Sequence, residues 1–280
     1  RAWMKIDLEV IKRAKGIGPV AIENILKEQE RQEGLEGFES AYVPSDKYKI
    51  DKDVNLWNGD CLELMSHIPD KSVDLILADL PYGTTQNRWD SVLPLEPLWG
   101  HYKRILREKG TVLLFSQSPF NAKLISSNLT DYRYEWIWEK NKATGFLNSK
   151  SMPLKAHENI LVFYEEVGIY TPQNLIKKEK PTINRGDRGV KKEGAGGTNY
   201  GKATKDSIQE YRNYPRDILK FNVVMRPVHS TQKPVELLEY LIKTYTDEEM
   251  LVLDNTMGSG STGVACKNTN RKFIGIELDE

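Results

Sequence analysis

The sequence predicts an α/β protein built on a mostly parallel, doubly wound sheet. Short apolar runs of strand length recur along the chain, helix-like stretches lie between several of them, and the last two runs flank a glycine-rich turn. Strands that alternate with helices form parallel sheets covered on both faces. In chain order the strands are Asn55 to Asn58, Val73 to Ala78, Thr111 to Ser116, Tyr134 to Trp138, Asn159 to Tyr164, Leu251 to Asp254 and Phe273 to Glu277. The clearest helices are Leu95 to Leu106 and Pro234 to Tyr245. In such sheets ligands bind at the carboxyl ends of strands. Asp79, Asp254 and Glu277 all fall at that end, so motifs far apart in sequence can share one cleft.

Composition narrows the function classes. The chain has 280 residues, 39% hydrophobic and 29% charged, enough for one substantial core and an appended module. Forty basic and forty acidic residues cancel, so any nucleic-acid surface must come from local segregation of charge. Cys61 and Cys266 lie in separate segments and the four histidines show no metal-ligand spacing, so neither a disulfide framework nor a structural zinc is implied. There is no apolar run of about eighteen residues and no signal peptide, which makes a soluble cytoplasmic protein the default. The chain starts at Arg1 and stops just after the strand ending in Glu277, which predicts a segment of a longer polypeptide.

Two motifs carry chemistry. The first is Asp79-Leu80-Pro81-Tyr82, at the tip of the strand Val73 to Ala78. A carboxylate and an aromatic delivered together on a rigid prolyl turn can accept from an amine and stack on its ring. Alone, the tetrad also reads as an ordinary strand exit. The second is Asn255-Thr256-Met257-Gly258-Ser259-Gly260-Ser261-Thr262-Gly263, between a buried strand and a helix that opens with Val264-Ala-Cys-Lys. Glycines at 258, 260 and 263 allow a tight turn, close approach of a ligand, and close packing of helix on strand. The next strand ends in Glu277, placed to hold ribose hydroxyls. Val264 rather than lysine follows Gly263, which excludes a Walker phosphate loop. A NAD-dependent dehydrogenase would use the glycines but leave Asp79 to Tyr82 without a task.

Together with His229-Ser-Thr231-Gln-Lys233-Pro234, these motifs resemble the amino-methylating DNA methyltransferases, in the beta order with the catalytic motif first and the cofactor motif last. The likeness runs from about Asn55 to the C-terminus and is strongest to adenine-modifying enzymes common in phages and prophages. It implies a Rossmann-like methyltransferase sheet, S-adenosylmethionine as cofactor, double-stranded DNA as substrate, no metal, and a possible cognate restriction nuclease as partner. It assigns catalysis to Asp79, Leu80, Pro81 and Tyr82. Cofactor binding falls to Asp60, Asp254, Thr256, Gly258, Ser259, Gly260, Thr262 and Glu277, with Thr231 and Lys233 near the methionine carboxylate. The family has proline at the position of Leu80. Leucine retains the backbone carbonyl, and Pro81 still holds Leu80 extended. Acid rather than serine at position 79 points to the N6 amine of adenine, with the N4 amine of cytosine as the alternative and a catalytically silent DNA-binding module as a more distant one. Asp60 also suits a helix cap, and His157 reads as a structural histidine.

Two stretches stand apart from the predicted sheet. Residues 171–226 hold thirteen Lys and Arg against six Asp and Glu, an excess of seven that suits phosphate contact. By resemblance this is the target-recognition region; a solvated insertion is the plain alternative. Near the N-terminus, Asp7 to Leu26 reads as two short helices around Gly16-Ile17-Gly18, like a helix-hairpin-helix. The predicted organisation is a helical module over 1–30, a linker over 31–49, a catalytic half over 50–166, the recognition insertion over 167–226 and a cofactor half over 227–280.

Overall fold

The structure is a computed structural model that describes residues 50, 53–83, 92–184, 206–225 and 232–278. The predicted N-terminal helical module and its linker lie outside the described residues, as do Thr231 and the glycine run Gly194 to Gly197.

The elements are β1 (Val54–Asn58), α1 (Cys61–Met65), β2 (Val73–Ala78), α2 (Leu95–Ile105), β3 (Leu106–Ser116), α3 (Phe120–Ser127), β4 (Tyr132–Thr144), β5 (Lys155–Phe163), β6 (Ile176–Asn184), β7 (Ser207–Arg212), β8 (Ile218–Phe221), α4 (Val235–Tyr245), β9 (Leu251–Asp254), α5 (Ser261–Asn268) and β10 (Lys272–Glu277). Eight strands form one sheet in the order β1-β10-β9-β2-β3-β5-β4-β8. Every neighbouring pair is parallel except the two made by β5, which runs against both β3 and β4. The α/β, doubly wound expectation therefore holds, with one reversed strand.

Strand β2 shows why the apolar runs were unbroken. Leu75 and Leu77 join one core cluster with Leu237, Leu238, Leu241 and Ile242 of α4. Their alternates Ile76 and Ala78 join another with Leu98, Tyr102 and Ile105 of α2. Successive side chains of a strand point to opposite faces, so a strand covered on both sides must be apolar at nearly every position. Burying each such side chain is worth about 1.5–3 kcal/mol. Four on α4 outweigh what a helix of 11 residues lacks in intrinsic stability.

The inserted region corrects one expectation. Residues 171–226 do not all stand apart from the sheet, because β8 extends it by pairing in parallel with β4, Ile137 to Lys140 against Ile218 to Phe221. Only Leu219 of this strand is buried, so its four residues carry no periodic signal; the pairing is decided by the open edge of β4. Strands β6 and β7 form a separate antiparallel ladder.

Helix α5 packs on β10 through a missing side chain. A Cβ on Gly263 would lie 2.8 Å from the Phe273 ring, closer than carbon atoms pack. Gly263→Ala gains up to about 1 kcal/mol of helix propensity but overpacks the contact by about 1–3 kcal/mol. We expect a net loss of stability, read as a lower urea midpoint with an unchanged slope.

Candidate active site

Strand order reverses between β9 and β2, and the loops leaving their carboxyl ends face each other there. The Thr256 hydroxyl donates to the Asp79 carbonyl at 3.1 Å, joining the tetrad to the glycine turn. Leu80 is 2% exposed and packs in the α2-side core, which anchors the tetrad from below. The Tyr82 hydroxyl donates to Asp79 Oδ1 at 2.6 Å, and its ring stacks on Phe120 with centroids 5.2 Å apart.

The other oxygen of Asp79 meets a lysine. Lys233, ahead of α4 and 9% exposed, donates from Nζ to Asp79 Oδ2 and lies 3.5 Å from Glu158 Oε2. Glu158, on β5 and 6% exposed, accepts at Oε1 from Lys140 of β4 and from Gln117 Nε2 at 3.1 Å. Lys140 lies over the Trp138 ring at 4.8 Å and Lys233 over the Phe115 ring at 4.9 Å. Burial opposes the charge on Lys233, but Asp79 and Glu158 outweigh it and hold its pKa above the usual lysine value. Burial likewise pushes Glu158 upward, and Lys233 and Lys140 outweigh it and keep the carboxyl below its ordinary range.

The glycine turn is held by acids. Gly258 and Gly260 have φ of 50° and 74°, in the left-handed region that glycine adopts without strain. The Gly258 amide donates to Glu277 Oε2 at 2.6 Å, and the Leu278 amide to Glu277 Oε1 at 3.1 Å. A Cβ on Gly260 would meet no atom within 4 Å, so the backbone there can be approached closely. Asp254 accepts from the Thr256 amide at 3.2 Å and the Thr262 hydroxyl at 2.6 Å, tying both ends of the turn to β9. At the neighbouring strand end, Asp60 Oδ1 caps α1 by accepting from the Leu62 amide at 2.7 Å. The Gly59 amide donates to the Glu277 carbonyl at 2.9 Å and brings that cap beside β10. The acids Asp60, Glu277 and Asp254 thus close three adjacent strands, with Asp79 beyond the fourth.

Residues 73–280 match the family model described as DNA methylase. The chain belongs to this family. The methylase is 28% identical over 242 residues to the Type II methyltransferase M1.MboII of Moraxella bovis, covering 78% of this chain and 89% of that relative. It is 24% identical over 279 residues to the Type II methyltransferase M.HindIII of Haemophilus influenzae, covering 79% of this chain and 90% of the relative. Among solved structures, that of the M1.HpyAVI-SAM complex superposes with a TM-score of 0.55 at 21% identity, over 81% of this chain and 94% of that one. The PvuII DNA methyltransferase, cytosine-N4-specific, gives 0.56 at 14% identity, over 81% and 83%. These two likenesses establish the shared Rossmann-like fold.

The methylase therefore gathers Asp79, Leu80, Tyr82, Asp254, Thr256, Gly258, Gly260 and Thr262 around one strand-order reversal, with Glu277 and Asp60 on the flank. Asp60 has the capping role the sequence also suggested, on one of its two oxygens. Lys233 sits on the Asp79 carboxylate, and His157 is exposed. Glu158, Lys140 and Gln117 were not singled out by sequence reasoning. The signal was present in the pairing of His157 with an acid on an otherwise buried strand, where a charged residue needs a partner. Among the described residues no helix is long and apolar enough to cross a membrane.

Asp254 gives the methylase a testable pH dependence. Burial raises its carboxyl from 3.8 to about 7, against the bonds from Thr262 and Thr256. Between those values the folded state holds a proton that the unfolded state releases, so stability falls as pH rises from about 4 to 7. Asp254→Asn, which can keep both contacts by turning its amide toward Thr262, is expected to flatten that stretch of the melting-temperature profile.

Proposed function

We propose that the methylase transfers a methyl group from S-adenosylmethionine to the exocyclic N6 amine of an adenine flipped out of double-stranded DNA. The observation that carries this reading is the bond between the Thr256 hydroxyl and the Asp79 carbonyl, which fixes an amine-accepting carboxylate beside a ligand-ready glycine turn. The cofactor, when bound, supplies an electrophilic methyl group on a sulfonium centre. The match to a DNA methylase family and the likeness to a neighbour solved with that cofactor support the assignment.

The turn residues Gly258, Ser259 and Gly260 fit beneath the methionine and ribose portions. Glu277, already accepting from the Gly258 amide, offers its carboxylate to the ribose hydroxyls, and the second oxygen of Asp60 offers an acceptor to the adenine amine. Asp254, Thr256 and Thr262 hold the shape of the turn. At the turn itself this division leaves backbone beneath the cofactor, which is what two left-handed glycines permit.

At the target, an exocyclic amine conjugated into its ring is planar and a poor nucleophile. Hydrogen bonds from its two hydrogens to the Asp79 carboxylate and the Leu80 carbonyl favour a pyramidal nitrogen with its lone pair directed at the methyl. Preorganised acceptors of this kind act most strongly in a site closed to water. Pro81 stiffens the turn that presents both acceptors. Extruding the base costs a few kcal/mol, and stacking on Tyr82 returns about 1–3 kcal/mol. The basic surplus over 171–226 suits contact with the DNA backbone. The same grip fits the N4 amine of cytosine; the acid at position 79 is what favours adenine.

The experiment is transfer of tritium from methyl-labelled cofactor to mixed-sequence duplex DNA, followed by separation of the nucleosides. Label in N6-methyladenine is the expected result. Label only in N4-methylcytosine would replace adenine with cytosine. An unlabelled duplex, together with calorimetric binding of NAD in preference to S-adenosylhomocysteine, would sink the reading altogether.

A further inference from the structure

The reaction proposed above uses Asp79 but gives no task to Glu158, Lys140 or Gln117. Each is held in place by its own element. Lys140 lies on β4 opposite Phe221, the last residue of β8, with Trp138 Nε1 donating to the Phe221 carbonyl at 2.8 Å and the Val223 amide donating to Asn141 Oδ1 at 3.0 Å. Gln117 follows β3, and Glu158 lies on β5 between them. Lys233 arrives ahead of α4, and its ammonium reaches both Asp79 and Glu158. Two carboxylates and two ammonium groups thus run in alternation, Lys140 to Glu158 to Lys233 to Asp79.

An isolated pair of charges at this depth gains little net stability, because desolvation offsets attraction. Four alternating charges with a further amide donor offset one another, Glu158 Oε2 facing the Lys233 ammonium at 3.5 Å, and they end on the carboxylate that must grip the target amine. If Lys233 faced Asp79 alone, its full charge would compete with the amine hydrogens for the same oxygen. Glu158 draws part of that charge toward itself, and Lys140 and Gln117 fix Glu158 against following it.

Building on the proposed methyl transfer, we propose that Glu158 is a positioning residue for the reaction: through Lys233 it sets the direction and acceptor strength of the Asp79 carboxylate. Lys140 anchors it to the strand that carries the base of the inserted region. The chain Lys140-Glu158-Lys233-Asp79 therefore links the β4–β8 edge to the reacting amine.

The test compares wild-type protein with Glu158→Gln and Glu158→Asp in single-turnover methyl transfer at saturating DNA and cofactor. Calorimetric binding of S-adenosylhomocysteine and melting temperature are followed in parallel. The expected result is a roughly 10–100-fold slower rate in Glu158→Gln, the scale of a misplaced reacting group, with S-adenosylhomocysteine affinity within about twofold of wild type. Glu158→Asp restores the second carboxylate and is expected to recover a measurable part of the rate. Glu158→Gln leaves Lys140 without its carboxylate, so Glu158→Gln with Lys140→Met removes that stranded charge and must be equally slow.

A wild-type rate in either Gln variant overturns the proposal. So does a loss explained by weaker S-adenosylhomocysteine binding or a lower melting temperature, or an Asp variant no faster than Gln. Wild-type protein that labels no DNA at all would instead sink the methyl-transfer reading, and this inference with it.

Discussion

Asp79→Ala is expected to abolish methyl transfer, by at least about 10²–10³-fold, while S-adenosylhomocysteine binding is kept. The magnitude is that of removing one preorganised polar group from a reaction centre. Binding should survive because the contacts of the glycine turn run through Glu277 and Asp254, and the Thr256 hydroxyl bonds to the Asp79 backbone rather than to its side chain. The alanine variant also takes from Lys233, a buried ammonium, its Asp79 carboxylate and leaves Glu158 beside it. Asp79→Asn preserves shape and one acceptor oxygen and so separates charge from packing. It should melt closer to wild type than Asp79→Ala and still transfer slowly. The check is tritium transfer beside calorimetry on the same preparations. Parallel loss of rate and affinity would place Asp79 in cofactor binding rather than in gripping the amine.

The sequence made the sheet legible because both its faces are covered. Residues such as Leu75, Ile76, Leu77 and Ala78 must all be apolar when α4 lies on one side and α2 on the other, and that leaves an unbroken run. The glycine pattern at 258, 260 and 263 was legible for a similar reason, since positive φ at Gly258 and Gly260 and the ring of Phe273 over Gly263 in α5 each disfavour a side chain. What stayed hidden depends on tertiary contact alone. Strand β8 buries only Leu219, and no pattern within four residues says that they will pair with β4. The Lys140-Glu158-Lys233 chain joins two neighbouring strands to a segment 75 residues beyond Glu158, and a lysine reads the same in sequence whether it faces water or a carboxylate. The resemblance assigns Asp254 to the cofactor site; that its buried oxygens accept from Thr256 and Thr262 and hold the turn together is visible only in the fold.

Glu277→Ala carries the second large expectation, a loss of about 10²-fold in affinity for S-adenosylhomocysteine. Two effects combine. The substitution removes the acceptor for the Gly258 amide, which loosens the turn, and it removes the carboxylate proposed to hold the ribose hydroxyls. Hydrogen bonds to a charged group are worth about 1.5–3 kcal/mol each, and about 1.4 kcal/mol is tenfold in a binding constant. Glu277→Gln keeps one acceptor for Gly258 and is expected to fall between alanine and wild type. Because Glu277 ends β10, at the far side of β9 from Asp79, its loss should appear in cofactor affinity and leave the rate at saturating cofactor largely intact. That split separates the two ends of the cleft, one that holds the cofactor and one that grips the amine.

The most direct measurement is single-molecule sequencing of DNA from a methylation-free host expressing the chain, since it reports the modified base and its sequence context together. N6-methyladenine at one short recurring sequence, absent when Asp79→Ala replaces the wild type, is the expected result. N4-methylcytosine in its place, or modification that persists in Asp79→Ala, would contradict it.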